Sequence, residues 1–180
     1  MSSLSRRGLS AAALLLLLTF ALHVFRLDAV PLRGDEAFTV RYWANDPATV
    51  LDDLAHWEPH PLGAFFGFWA WKQTAGASEF TMRVLPLLGS ILSVASVFAL
   101  ARHLWKDSRL ALLAAGLWAI NPHLIWHAQD VRNYALWAGL SPLALVLFLR
   151  AIDRNTPRAW ILYILAEAAA IYVFFLEALA

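Results

Sequence analysis

Apolar residues lie in long unbroken runs along the chain, neither alternating nor confined to a narrow helical stripe. Residues 8–27 form the first run, preceded by Arg6 and Arg7; runs over 82–104, 110–127, 134–152 and 159–179 follow. Each is close to the roughly 20 residues that a helix needs to cross about 30 Å of hydrocarbon. The pattern predicts an all-α fold, a polytopic transmembrane helix bundle of about five spans. The first run has the charged start and Leu-rich middle of a signal peptide. It is long, however, and no small-residue cleavage site follows it, so it reads as an uncleaved span.

A shorter apolar stretch, 61–75, carries Lys72 and Gln73, and the distribution of positive charge decides its status. If it does not span, Arg6/Arg7, Arg102/Lys106/Arg109 and Arg150/Arg154/Arg158 share one side. The 28–81 segment, with eight acids and three bases, then lies on the other. If it spans, the Arg102 and Arg150 groups move opposite Arg6 and Arg7. The first arrangement obeys the positive-inside rule. It predicts a cytoplasmic N-terminus, an exported loop over 28–81, and an amphipathic helix over 61–75 at the outer interface, with Trp69, Trp71 and Lys72 at headgroup level. Within the loop, Gly34-Asp35-Glu36 opens a helical stretch through Trp43, its acids in the first turn where the helix dipole favours them. Asn45-Asp46-Pro47 supplies a cap followed by proline at the first helical position. Val50, Leu51, Leu54 and Trp57 then form an apolar stripe. Two short juxtamembrane helices are expected here.

Composition agrees with a bilayer as solvent. Of 180 residues, 61% are hydrophobic and 15% charged, against roughly 45–50% and about 25% in soluble domains, and the mean hydropathy is +0.59. Disorder and coiled coil are excluded by the same figures. A net charge of +1 provides no basic field for nucleic acid. The absence of cysteine excludes disulfides, thiolate metal sites and cysteine nucleophiles. No Walker loop, G-x-G-x-x-G, G-x-S-x-G or HExxH is present, so nucleotide binding, serine hydrolysis and zincin chemistry have no support.

Several polar groups remain as candidates for chemistry. The Asp35-Glu36 pair stands just beyond the first span, where a carboxylate can accept a proton from a hydroxyl or ligate a hard divalent cation; it equally suits a helix start. The stretch 121–134, NPHLIWHAQDVRNY, begins with a proline that ends or kinks the third span. It delivers Gln129, Asp130, Arg132 and Tyr134 to the side that carries Asp35. Two acids far apart in sequence at one membrane face make a candidate site, against the plain alternative of a polar turn. His123 and His127 share a helix face with Asp130 three residues further on, a spacing that suits a metal or an interfacial histidine pair. His56 and His60 flank Trp57-Glu58-Pro59 and suit either a phosphate or a turn. Glu167 lies in mid-span, where an ionisable group is costly and commonly functional. Glu79 and Arg83 are spaced as a helical ion pair.

The order LRGDEAFT, HPLGAFF with W-x-W, GASEFTMR and NPHLIWHAQDVRNYAL resembles the N-terminal part of the GT-C membrane glycosyltransferases. The likeness is to the ArnT-like and protein O-mannosyltransferase-like group that includes RgtA/B/C/D-like proteins, and it covers nearly the whole chain. The resemblance implies transfer of a sugar from a polyprenyl-phosphate donor to a lipid, glycan or protein acceptor on the exported side of a membrane, in bacteria the plasma membrane. By the same likeness Asp35, with Glu36 beside it, matches the essential acid of the first exported loop, and Asp130 an acid of the second. Arg132 and Tyr134 match the tail of that second motif, and His60 and Lys72 fall near the donor phosphate. A divalent cation is an optional cofactor. Such enzymes have many more spans, which implies that these residues form an N-terminal portion. The competing reading is a non-catalytic polytopic protein, a transporter part or assembly subunit that depends on Glu167.

Overall fold

A computed structural model describes residues 6–43, 46–56 and 61–179, and among them finds helices and no strand. The helices are α1 (Arg6–Val24), α2 (Gly34–Phe38), α3 (Pro47–His56), α4 (Leu62–Ala75), α5 (Glu79–Trp105), α6 (Ser108–Ala119), α7 (Pro122–Ala128), α8 (Tyr134–Arg154) and α9 (Pro157–Val173). A π-helical turn, Thr39–Trp43, continues α2, and a 3-10 turn, Phe175–Leu179, follows α9.

Local chemistry fixes the element ends. Lys106 and Asn155 adopt left-handed conformations that close α5 and α8. Asp107 then caps α6, and Thr156 caps α9 ahead of Pro157. These two-residue connections force α5/α6 and α8/α9 into antiparallel pairs. The central pair is α5 against α8. A Cβ on Gly89 would lie 2.7 Å from the Ala135 carbonyl oxygen, and one on Gly139 would lie 2.5 Å from the Gly89 oxygen. Only glycine lets these backbones meet.

The bundle is inside-out by the standards of a soluble protein. Leu14, Leu17 and Leu18 of α1, Leu113 and Leu117 of α6, and Ile161, Ile164 and Leu165 of α9 face outward, whereas Ser90, Ser93 and Ser96 of α5 are buried. Outward apolar faces with small polar groups between helices suit lipid as solvent. The helix α5, of 27 residues, and α8, of 21, are long and apolar enough to cross a membrane, while the apolar helices Gly8–Val24 and Ser108–Ala119 are shorter.

Three expectations are modified. The run 110–127 is not one helix: Pro122 has no N–H to continue α6, and Asn121 instead accepts from His123 N to cap α7. The Ala119 carbonyl thereby orphaned accepts from His23 Nε2 at 2.9 Å, given the matching tautomer. The run 159–179 is likewise α-helical only to Val173, because Phe174 is extended and a 3-10 turn follows it. The stretch 61–75 is a helix, but not an amphipathic one. Apolar residues surround it, and Ala64, Phe65 and Phe68 are buried with Val40, Val50, Met82 and Val131 in a core beneath the first loop. Asp46 caps α3 through Thr49; Val50 is buried while Leu51 is exposed, and the Leu54 side chain and Trp57 lie outside the described residues.

Candidate active site

Arg83 organises one end of the bundle. Lying in the second turn of α5 and 1% exposed, it sends Nη1 to the carbonyls of Leu27 (2.8 Å) and Val30 (2.9 Å). Its Nη2 donates to Pro31 O (3.3 Å) and Glu36 Oε2 (2.8 Å), and its Nε to Glu36 Oε1 (2.8 Å). Each guanidinium N–H therefore has an acceptor, as a buried cation requires. The helix-spaced partner expected from sequence, Glu79, instead accepts weakly from Leu32 N at 3.4 Å.

Glu36 is fully buried. Besides Arg83, Oε2 accepts from Arg33 N at 3.0 Å, which reaches back across the first turn of α2. Oε1 accepts from Val131 N at 3.2 Å. Burial pushes this carboxyl upward, but the Arg83, Arg33 and Val131 hydrogen bonds outweigh it and hold it below its ordinary value. One carboxylate thus ties the first loop to the loop before α8.

That tie joins the two segments that carry the candidate acids. Asp35, beside Glu36, is exposed in the first turn of α2. Asp130, beside Val131, is 9% exposed. Burial, then the Glu36 charge, raises the Asp130 carboxyl to about 6 against opposition from Arg33 and Arg132, with a smaller upward push from Asp35. Gln129 donates to the carbonyls of His23 and Phe25, both at 3.0 Å, anchoring the same loop to the end of α1. Arg132 is buried in that loop, and Arg33, which sequence reasoning passed over, lies over the Trp126 ring at 3.9 Å.

The remaining candidates are distributed differently. Tyr134, at the start of α8, packs on the His127 and Phe174 rings. It lines a cavity of about 580 Å³ with His23, His123, His127, Trp118 and Trp137, which continues past Val94 and Val97 to Leu100 and Leu145. Lys72 is engaged elsewhere, donating to the Val40 carbonyl at 3.1 Å. His60 lies outside the described residues. Glu167 is half-buried in α9, on a different element from either candidate acid. Among the described residues no three His, Asp or Glu side chains cluster as a metal site. A signal for Arg83 was available in the sequence: an arginine just inside an apolar run must find a buried counter-charge. The identity of that partner was not.

A helical bundle with outward apolar faces has the build of a membrane-embedded protein. Residues 59–180 match the dolichyl-phosphate-mannose-protein mannosyltransferase family. The chain belongs to that family, and so to the membrane glycosyltransferases of the GT-C type. The matched stretch includes Asp130, Arg132 and Tyr134 but begins after Asp35 and Glu36. No curated protein and no solved structure gives a significant match.

Proposed function

We propose that this chain supplies the acid site and part of the donor pocket of a glycosyltransferase that uses a polyprenyl-phosphate-linked sugar. The observation that supports the reading is the clasp of Glu36 with Arg83 and Val131 N, which ties the loop carrying Asp35 to the loop carrying Asp130, beside which the apolar cavity begins at His127 and Tyr134. An apolar cavity with His127 and Tyr134 at that end suits an isoprenoid chain whose phosphate faces the acids.

In the reaction an acceptor hydroxyl oxygen attacks the anomeric carbon as the bond from that carbon to the phosphate oxygen breaks. The hydroxyl proton passes to a carboxylate, and the polyprenyl phosphate leaves. Asp35, exposed and unburdened by the clasp, is the base or holds the acceptor; Asp130 is the second acid, with a carboxyl near the pH at which a base works best. Arg132 and Tyr134 face the departing phosphate, with Lys72 and His60 as outer candidates. Glu36 positions both acids. The basic ends of α5, α6, α8 and α9 face the cytoplasm and the acid site faces the exported side.

In the complete, active enzyme, Asp35→Asn should abolish transfer and leave membrane insertion intact. Near-normal turnover of that variant rules out the base role.

A further inference from the structure

We infer that His123 and His127 form a binding site for a borderline divalent transition-metal cation at the acid end of the cavity. The two residues are four apart on α7, so they share a face. Their Nε2 atoms converge to 3.2 Å, with the rings edge to face. Two imidazole nitrogens bound to one tetrahedral ion at about 2.0–2.1 Å stand roughly 3.3 Å apart. The pair is already spaced as ligands of a common ion.

The surroundings of His127 favour the same assignment. Its Nδ1 is buried and hydrogen-bonds nothing among the described residues, and it faces Asp130 Oδ2 at 4.0 Å. When neutral, His127 can present Nε2–H to His123, which leaves the Nδ1 lone pair toward a carboxylate. It can instead accept from His123, which turns the buried Nδ1–H toward Asp130. An ion held by both Nε2 atoms fixes this second tautomer: both lone pairs go to the cation, and Nδ1–H is directed at Asp130. This is the carboxylate–histidine–metal arrangement, in which the outer acid orients the ligand and raises its basicity. Imidazole ligands select zinc, cobalt or nickel over magnesium or calcium, which take oxygen. With no third protein ligand clustered among the described residues, the other coordination positions fall to water or to an oxygen of a bound molecule. Both histidines line the cavity, so an anionic headgroup seated there could reach the ion. That last consequence rests on the proposed function; the site itself does not.

The test is titration of the full chain, purified without a polyhistidine tag in detergent or nanodiscs, with Co²⁺. The expected result is one Co²⁺ per chain at micromolar concentration, with ligand-field absorption in the visible and displacement by Zn²⁺. His123→Ala removes an exposed side chain and should weaken binding at least tenfold while circular dichroism is unchanged. His127→Gln should do the same, and Asp130→Asn should weaken binding about tenfold through the outer position. Absence of Co²⁺ binding up to millimolar concentration overturns the site and leaves a simple imidazole–imidazole hydrogen bond. Binding of parental strength in both histidine variants overturns it equally. Neither result bears on sugar transfer, which is read separately with Asp35→Asn.

Discussion

At the scale of single residues, two neighbouring carboxylates show how environment separates their roles. Glu36 has five donors around it and no accessible surface. Glu36→Gln leaves Arg83 buried without its counter-charge, a loss of about 3–5 kcal/mol when one partner of a buried pair is removed. Thermal unfolding in detergent should show it as a large fall in Tm; an unchanged Tm refutes the clasp. Because the folded-state pKa of Glu36 is depressed, its contribution is present above its unfolded value, about pH 4.3, and is lost on acidification below it. Asp130 has the opposite sign. Its carboxyl is raised to about 6, so the folded chain binds the extra proton and stability falls as pH rises from about 4 to about 6. Asp130→Asn should therefore stabilise the protein at pH 7 and flatten the pH dependence in that window. In the complete enzyme, transfer that needs ionised Asp130 should rise with an apparent pKa near 6.

At the scale of elements, the α5/α8 crossing decides whether the bundle closes. Gly89→Ala drives a methyl group against the Ala135 carbonyl, and Gly139→Ala drives one against the Gly89 carbonyl. Backbone on both sides cannot yield as a side chain does, so each change should cost about 1–3 kcal/mol or more. The double variant should lose less than the sum, since both act on one contact. Equal Tm values for parent and single variants contradict the close approach. Sequence pattern located α5, α8 and the first-loop helices well because capping and apolar periodicity are local. It overextended the third and fifth runs, since a long apolar run does not report where backbone hydrogen bonding breaks. His23, which completes the break at Ala119, is 96 residues away from it.

For the whole molecule, the ends of the bundle sort by charge. Arg102 meets Ser108 and His103 meets Asp153 at one end; Glu36, Arg83, Asp130 and the Asn133 bond to Val173 O occupy the other. This alternation agrees with the charge distribution that set 28–81 opposite Lys106 and Arg154. Lys106→Cys and Ala77→Cys, both at exposed positions in a chain without native cysteine, should react with a membrane-impermeant maleimide from opposite sides of the membrane. Labelling from one side only would falsify the topology.

Read alone, the chain already carried the apolar solvent, the helical class, the clustering of basic residues between apolar runs, and which residues have the chemistry for a site. Those properties follow from composition, from the length of unbroken apolar runs and from charge counts, all of which are additive or local. Packing in three dimensions was needed to pair Arg83 with Glu36, 47 residues away, instead of Glu79 on its own helix. It alone set Glu36 against Val131 N, 95 residues on, and so tied the first loop to the loop before α8. It also brought two imidazole edges to ligand spacing beside the second acid. Pairings at such separations depend on how helices cross and where loops close, and a buried charge takes whichever partner that packing delivers.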